Sequence, residues 1–146
     1  MTSFIRQKER GAAMAELAIV LPILLIVLFG IIEFGLILYD KALITNASRE
    51  GARTGIVFRA NPTTGNYQPY TVSEIQGVVN FYLGDGNRLI PPAAPTITVP
   101  SGICTGTAFP LNVTVTYTYN FFILPNIVTS ITGPITLTGV SIMRCE

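Results

Sequence analysis

Apolar positions are distributed along this chain in two ways. From Leu17 to Ile32 every residue is apolar, glycine or proline, and after Glu33 the run resumes as Phe34-Gly35-Leu36-Ile37-Leu38-Tyr39. With Ala12 to Ala15 in front, the stretch exceeds the ~20 residues that a helix needs to cross a hydrocarbon core ~30 Å thick. Ala42, Leu43, Ala47 and Ala52 carry helical character onward without a breaker until Gly55, and Pro62 is a firm stop. The pattern therefore predicts one helix from about residue 5 to about residue 58. Pro22 lacks an N–H and crowds the preceding turn, so it should kink or loosen this helix near its first third.

After Pro62 the period changes. Thr63-Thr64-Gly65-Asn66 reads as loop, and Thr71 through Glu74 can cap a helix carrying Ile75, Val78, Val79 and Tyr82 on one face until Gly84-Asp85-Gly86-Asn87 ends it. Pro91 to Pro95 is a stiff connector. Threonine or asparagine then alternates with valine or tyrosine over Asn112–Tyr119, as in a half-buried antiparallel strand, with shorter strands at Thr96–Val99 and Ile135–Thr138. Gly139 is expected to shift the last strand through a bulge before Val140-Ser141-Ile142. The fold class is α+β: a long N-terminal helix followed by a small domain with one helix and an antiparallel sheet. Phe121-Phe122-Ile123-Leu124-Pro125 falls in a loop between strands, either as core or as a contact surface for a neighbour or the membrane.

Composition sharpens this. Apolar residues make up 49% of the chain and charged residues 12%, against roughly 25% charged in soluble domains, which fits a segment solvated by lipid. Arg6, Lys8 and Arg10 precede the apolar run, whereas Lys41 beyond it is balanced by Asp40. The positive-inside tendency puts the N-terminus in the cytoplasm and the C-terminal part outside. A secretory signal also has basic residues before an apolar stretch, but its apolar region is only ~7–15 residues long and ends at a small-x-small site, which Leu38-Tyr39-Asp40-Lys41 does not offer. The expected organisation is a basic leader at 1–11, a transmembrane and extended helix at 12–58 and an exported domain at 59–146.

Histidine is absent, which removes the commonest general base and metal ligand, and residues 59–146 hold only Glu74, Asp85 and Glu146 as acids. No catalytic residue, metal or cofactor is expected. No basic stripe with interleaved aromatics points to nucleic acid. Cys104 and Cys145 follow the apolar run, where an oxidising compartment lets them pair, and a disulfide is preferred over two free thiols.

Two carboxylates stand where apolar residues are expected. An ionisable group inside a bilayer costs ~2.5–3.5 kcal/mol on insertion scales. Glu16, at the start of the run, either faces water at headgroup depth or has a partner. Glu33, read as an intramembrane acid, is either neutral, or already at the outer interface, or paired. The segment Glu9-Arg10-Gly11-Ala12-Ala13-Met14-Ala15-Glu16 before an unbroken apolar helix resembles the type IV prepilin processing site, in which a basic leader ends in glycine and a glutamate is fifth after the cut. Counted from Ala12, Glu16 is fifth. Cutting after Gly11 would remove Arg6, Lys8 and Arg10 and leave an ammonium on Ala12 for Glu16 to meet, on its own chain or on a neighbouring helix. Gly30, Gly35 and the alanines from Ala12 to Ala18 would let helices bundle closely.

Together with Leu17-Ala18-Ile19-Val20-Leu21-Pro22, Gly30-Ile31-Ile32-Glu33-Phe34-Gly35 and Ala47-Ser48-Arg49-Glu50-Gly51-Ala52-Arg53, this stretch resembles the TadE-like family over roughly the first 58 residues. The resemblance implies a minor pilin or pseudopilin of the tight-adherence, Flp-type pilus system, processed by a membrane aspartic prepilin peptidase. It would join other pilin-like subunits and the assembly machinery through its N-terminal helix and serve surface attachment. Arg49 to Arg53 is otherwise a solvated helical face. The competing expectation is an uncleaved, membrane-anchored binding module presenting its β domain.

Overall fold

The computed structural model describes residues 2–61, 63–123 and 133–146, with side chains from Gly11 onward. Helix α1 runs Thr2–Gly55, with Pro22 inside it. Its two halves have different surroundings. Residues 11–32 are exposed apart from the half-buried Gly30, and Ile19, Ile26 and Ile31 are each about two-thirds exposed. From Glu33 onward one stripe is buried: Glu33, Asp40, Ile44, Ala47, Ser48, Gly51, Ala52 and Gly55. Steps of three, four and seven keep these positions on one side of a helix. The second half of α1 is thus the spine on which the rest of the chain is built.

Beyond α1, strands β1 (Arg59–Ala60) and β2 (Tyr67–Gln68) pair antiparallel. This small hairpin brackets the loop expected at Thr63–Asn66, where the Asn61 side chain accepts the N–H groups of Thr63 and Thr64. Helix α2 (Val72–Leu83) opens with a capping box: Thr71 accepts the Glu74 N–H, and Glu74 accepts the Thr71 N–H. It ends at Gly84 in the left-handed conformation. Arg59 forms a salt bridge with Glu74 and lies 4.8 Å from the centre of the Tyr70 ring. The Thr71 contacts first, then Arg59, hold the exposed Glu74 carboxyl below its ordinary pKa.

Strands β3 (Thr96–Thr98), β4 (Pro110–Tyr119) and β5 (Ile135–Arg144) form an antiparallel sheet in the order β3-β4-β5. The period-two pattern of β4 has its physical meaning here. Leu111, Val113, Val115, Tyr117 and Tyr119 point inward and are buried, whereas Asn112, Thr114, Thr116 and Thr118 face outward. With Ile44, Ala47 and Ala52 of α1 and Ile75, Val79 and Leu83 of α2, the inward set makes one core. Burying a side chain of valine or leucine size contributes ~1.5–3 kcal/mol.

The bulge expected at Gly139 does not occur. Pairing runs without interruption from Tyr119↔Ile135 through Val115↔Gly139 to Pro110↔Arg144. Glycine stands there for a different reason: a Cβ would lie 2.8 Å from the Ile44 carbonyl oxygen, so β5 lies directly on the α1 backbone. Gly51 and Gly55 serve α2 in the same way, since a Cβ on either would run into Val79, Ile75 or Leu111.

Cys104 and Cys145 are joined in a disulfide with their Cα atoms 5.9 Å apart. Phe121 is half-buried against the core and Phe122 is 64% exposed, while Leu124 and Pro125 lie outside the described residues.

Candidate functional site

Gly11, Ala12 and Glu16 lie on helical backbone at the inner end of α1, and all three are exposed. A Cβ built on Gly11 has nothing within 4 Å, and Gly30 and Gly35 are equally open. The small residues of this half are therefore available to whatever surrounds the helix. Arg49 and Arg53 face solvent, whereas Gly51 and Ala52 between them are buried under the rest of the domain. The Arg49–Arg53 segment thus has two sides, one solvated and one packed.

Glu33 has an environment of its own. It is 1% exposed and accepts hydrogen bonds from the Tyr119 hydroxyl at 2.7 Å, the Phe122 N–H at 2.7 Å and the Ile123 N–H at 2.8 Å. The carboxylate thereby gathers donors of the chain leaving β4 and fixes residues 122 and 123 to α1. Tyr119 can reach it because the inward alternation of β4 places both tyrosines toward the helix. The rings of Tyr117 and Tyr119, and of Tyr119 and Phe121, meet edge to face at 6.3 and 6.0 Å.

Two helical turns outward, Asp40 repeats the arrangement with another segment. It is fully buried, and both its oxygens accept the Ile90 N–H, at 3.1 and 3.3 Å. Next door, Tyr117 donates its hydroxyl proton to the Pro91 carbonyl, and Lys41 reaches the Thr138 carbonyl on β5. The proline-rich connector is therefore pinned at its start to α1 and β4. Burial pushes the Asp40 carboxyl up to about 6, against the lowering effect of the Ile90 N–H. Burial, and then the Asp40 charge, raises the Tyr117 phenol to about 12. Tyr119 is pushed higher still, by burial first and then by its bond to Glu33. Both phenols remain protonated donors at any physiological pH.

Asp40, Tyr117 and Tyr119 were not singled out from the sequence. A signal existed: Glu33 and Asp40 are seven residues apart, which places them on one face of a helix, and two tyrosines close the alternating strand.

The Asp40 shift makes a pH prediction. Its folded pKa of about 6 lies above the ordinary 3.8, so the folded state holds the proton more tightly. This contribution to stability is fully present below pH ~4 and is lost as the pH rises through 6. Asp40→Asn keeps an oxygen for the Ile90 N–H and cannot ionise. In urea titrations of the full-length protein in detergent, the variant should gain on the wild type by on the order of 1 kcal/mol between pH 4 and 7, allowing for screening by nearby water. A constant difference between the two proteins across that range would refute the assignment.

Together these features define a chain with, among the described residues, one helix long and apolar enough to cross a membrane, whose small α+β domain is built onto the second half of that same helix. Residues 11–53 match the family model of TadE-like proteins, bearing out the resemblance carried by that stretch. No curated protein and no solved structure matches the chain. The match covers the exposed half of α1 and most of its buried half. The sheet, α2 and the disulfide lie outside it.

Proposed function

We propose that the chain is a minor pilin or pseudopilin of a tight-adherence pilus, cut by a prepilin peptidase between Gly11 and Ala12 and assembled through α1. The observation that carries this reading is the exposed Gly11-Ala12 peptide with Glu16 in fifth place, at the head of about 20 residues of exposed apolar helix inside the TadE-like match. Cutting there removes the leader with Arg6, Lys8 and Arg10 and leaves a cation on Ala12. Glu16 then meets that cation, in its own chain or in the next subunit, which offsets the cost of taking either charge out of water and sets axial register. The exposed apolar flank is the surface by which helices pack in the bilayer and then in a fibre.

In this reading the leader is cytoplasmic, the domain is exported, Glu33 marks the outer end of the span, and the part played is structural, not enzymatic. The exported domain would contribute to attachment by the pilus. Intact mass and N-terminal sequencing from membranes with and without the peptidase test the assignment. The expected result is loss of residues 1–11 only when the peptidase is present, with Gly11→Ala blocking the cut. An intact Met1 in both membranes would leave an anchored module that presents its domain without being processed.

A further inference from the structure

The position of Phe122 and Ile123, just after β4, relative to α1 says where the domain meets the bilayer. At 1.5 Å per residue, residues 12–32 extend about 31 Å, close to the ~30 Å of a hydrocarbon core. Exposure of the helix on every face ends at Glu33, where the domain begins to cover one side. The same carboxylate holds the N–H groups of Phe122 and Ile123, so these two residues are level with the end of the apolar segment. There the Phe122 side chain is 64% exposed, and Phe34, one position past Glu33 on α1, is 61% exposed. A single exposed aromatic would mean little. Two at this level, at the end of a helix that is apolar and, Gly30 apart, exposed from Leu17 to Ile32, give the base of the domain an apolar surface.

We propose that this surface is seated in the outer leaflet of the bilayer that α1 crosses, with Phe122 among the headgroups and upper acyl chains. The inference rests on the membrane-anchor reading of α1. Its consequence is that the exported domain stands on the membrane at its base, held there by Glu33, and must release Phe122 from lipid when the subunit leaves the bilayer. A neighbouring subunit can then cover the same aromatic surface.

The chain has no tryptophan, so single reporters can be placed cleanly. Phe122→Trp is the probe. Tyr67→Trp, 78% exposed on β2 beyond the outer end of α1, reports water, and Leu24→Trp, 59% exposed in the apolar half, reports the bilayer interior. Full-length variants are reconstituted in phosphatidylcholine vesicles containing lipids brominated at shallow or deep acyl positions. The expected result is blue-shifted emission from the Phe122→Trp reporter, most of it lost to the shallow bromines, with the Tyr67→Trp reporter unaffected and the Leu24→Trp reporter lost to the deep ones. If the Phe122→Trp reporter behaves like Tyr67→Trp while Leu24→Trp is quenched, the domain stands clear of lipid and the proposal fails with the anchor intact. An unquenched Leu24→Trp reporter would overturn the anchor reading and the proposal with it.

Discussion

Glu33→Ala is expected to destabilise the C-terminal domain by about 3–5 kcal/mol, because it leaves the Tyr119 hydroxyl and the Phe122 and Ile123 N–H groups without their acceptor in a buried place. The sign matters as much as the size. A carboxylate held only by lipid is an unfavourable presence, and alanine in its place would relieve the protein. Here Glu33 has partners in its own chain, so alanine should cost. Two milder changes separate the contributions. Tyr119→Phe removes one donor and leaves both backbone bonds, for a loss of about 1 kcal/mol, and Glu33→Gln keeps a single acceptor oxygen and should fall between. Urea midpoints of the full-length protein in detergent give the ranking, and hydrogen exchange at Phe122 and Ile123 should accelerate most in Glu33→Ala. If Glu33→Ala were no worse than Tyr119→Phe, the two backbone bonds would contribute nothing and the latch would not exist.

The same carboxylate shows what was legible in the sequence. Long apolar runs and strict alternation are strong signals, so α1, β4 and the antiparallel sheet could be read directly, and the capping box could be anticipated from Thr71 and Glu74. The double use of α1 was less visible. Between Glu33 and Gly55 its buried stripe consists of Glu, Asp, Ser, Gly and Ala with Ile44, side chains that look solvated or merely small until their partners are known. An acid counts as a core residue only once Tyr119 and two backbone amides arrive from residues far along the chain, and Gly51 and Gly139 declare themselves only when α2 and β5 lie on them. Strands of two residues such as β1 and β2 give no periodic signal at all. The proposed processing end is the opposite case. The case for Gly11, Ala12 and Glu16 rests on spacing, which the sequence displays in full, and all three are exposed.

Converting both Cys104 and Cys145 to serine should cost about 4 kcal/mol by the chain-entropy estimate for the closed loop, whose ends are 41 positions apart. The location of the bridge makes the expected pattern specific. The Cys104 sulfur lies 3.2 Å from the Gly55 carbonyl, the Cys145 backbone pairs with Phe109 and Ala108, and the Glu146 N–H reaches the Ile56 carbonyl. The disulfide thus ties the residue after β5 to the loop before β4, beside the Gly55 end of α1, while Glu33 ties Phe122 and Ile123 to α1 at the level where the domain begins. Helix and strand are clamped at both ends of their shared length, with Gly139 in contact at the middle. Hydrogen exchange in the Cys104→Ser, Cys145→Ser variant should rise at Phe109, Ile56 and position 145, leaving the amides of Phe122 and Ile123 protected, the converse of Glu33→Ala. Formation of the bridge also reports compartment, since thiols are kept reduced in the cytosol. Thiol alkylation in intact cells should therefore leave both cysteines unlabelled until a reductant is added. Labelling without reductant would place the C-terminal domain on the cytoplasmic side and reverse the orientation on which peptidase access to Gly11 depends.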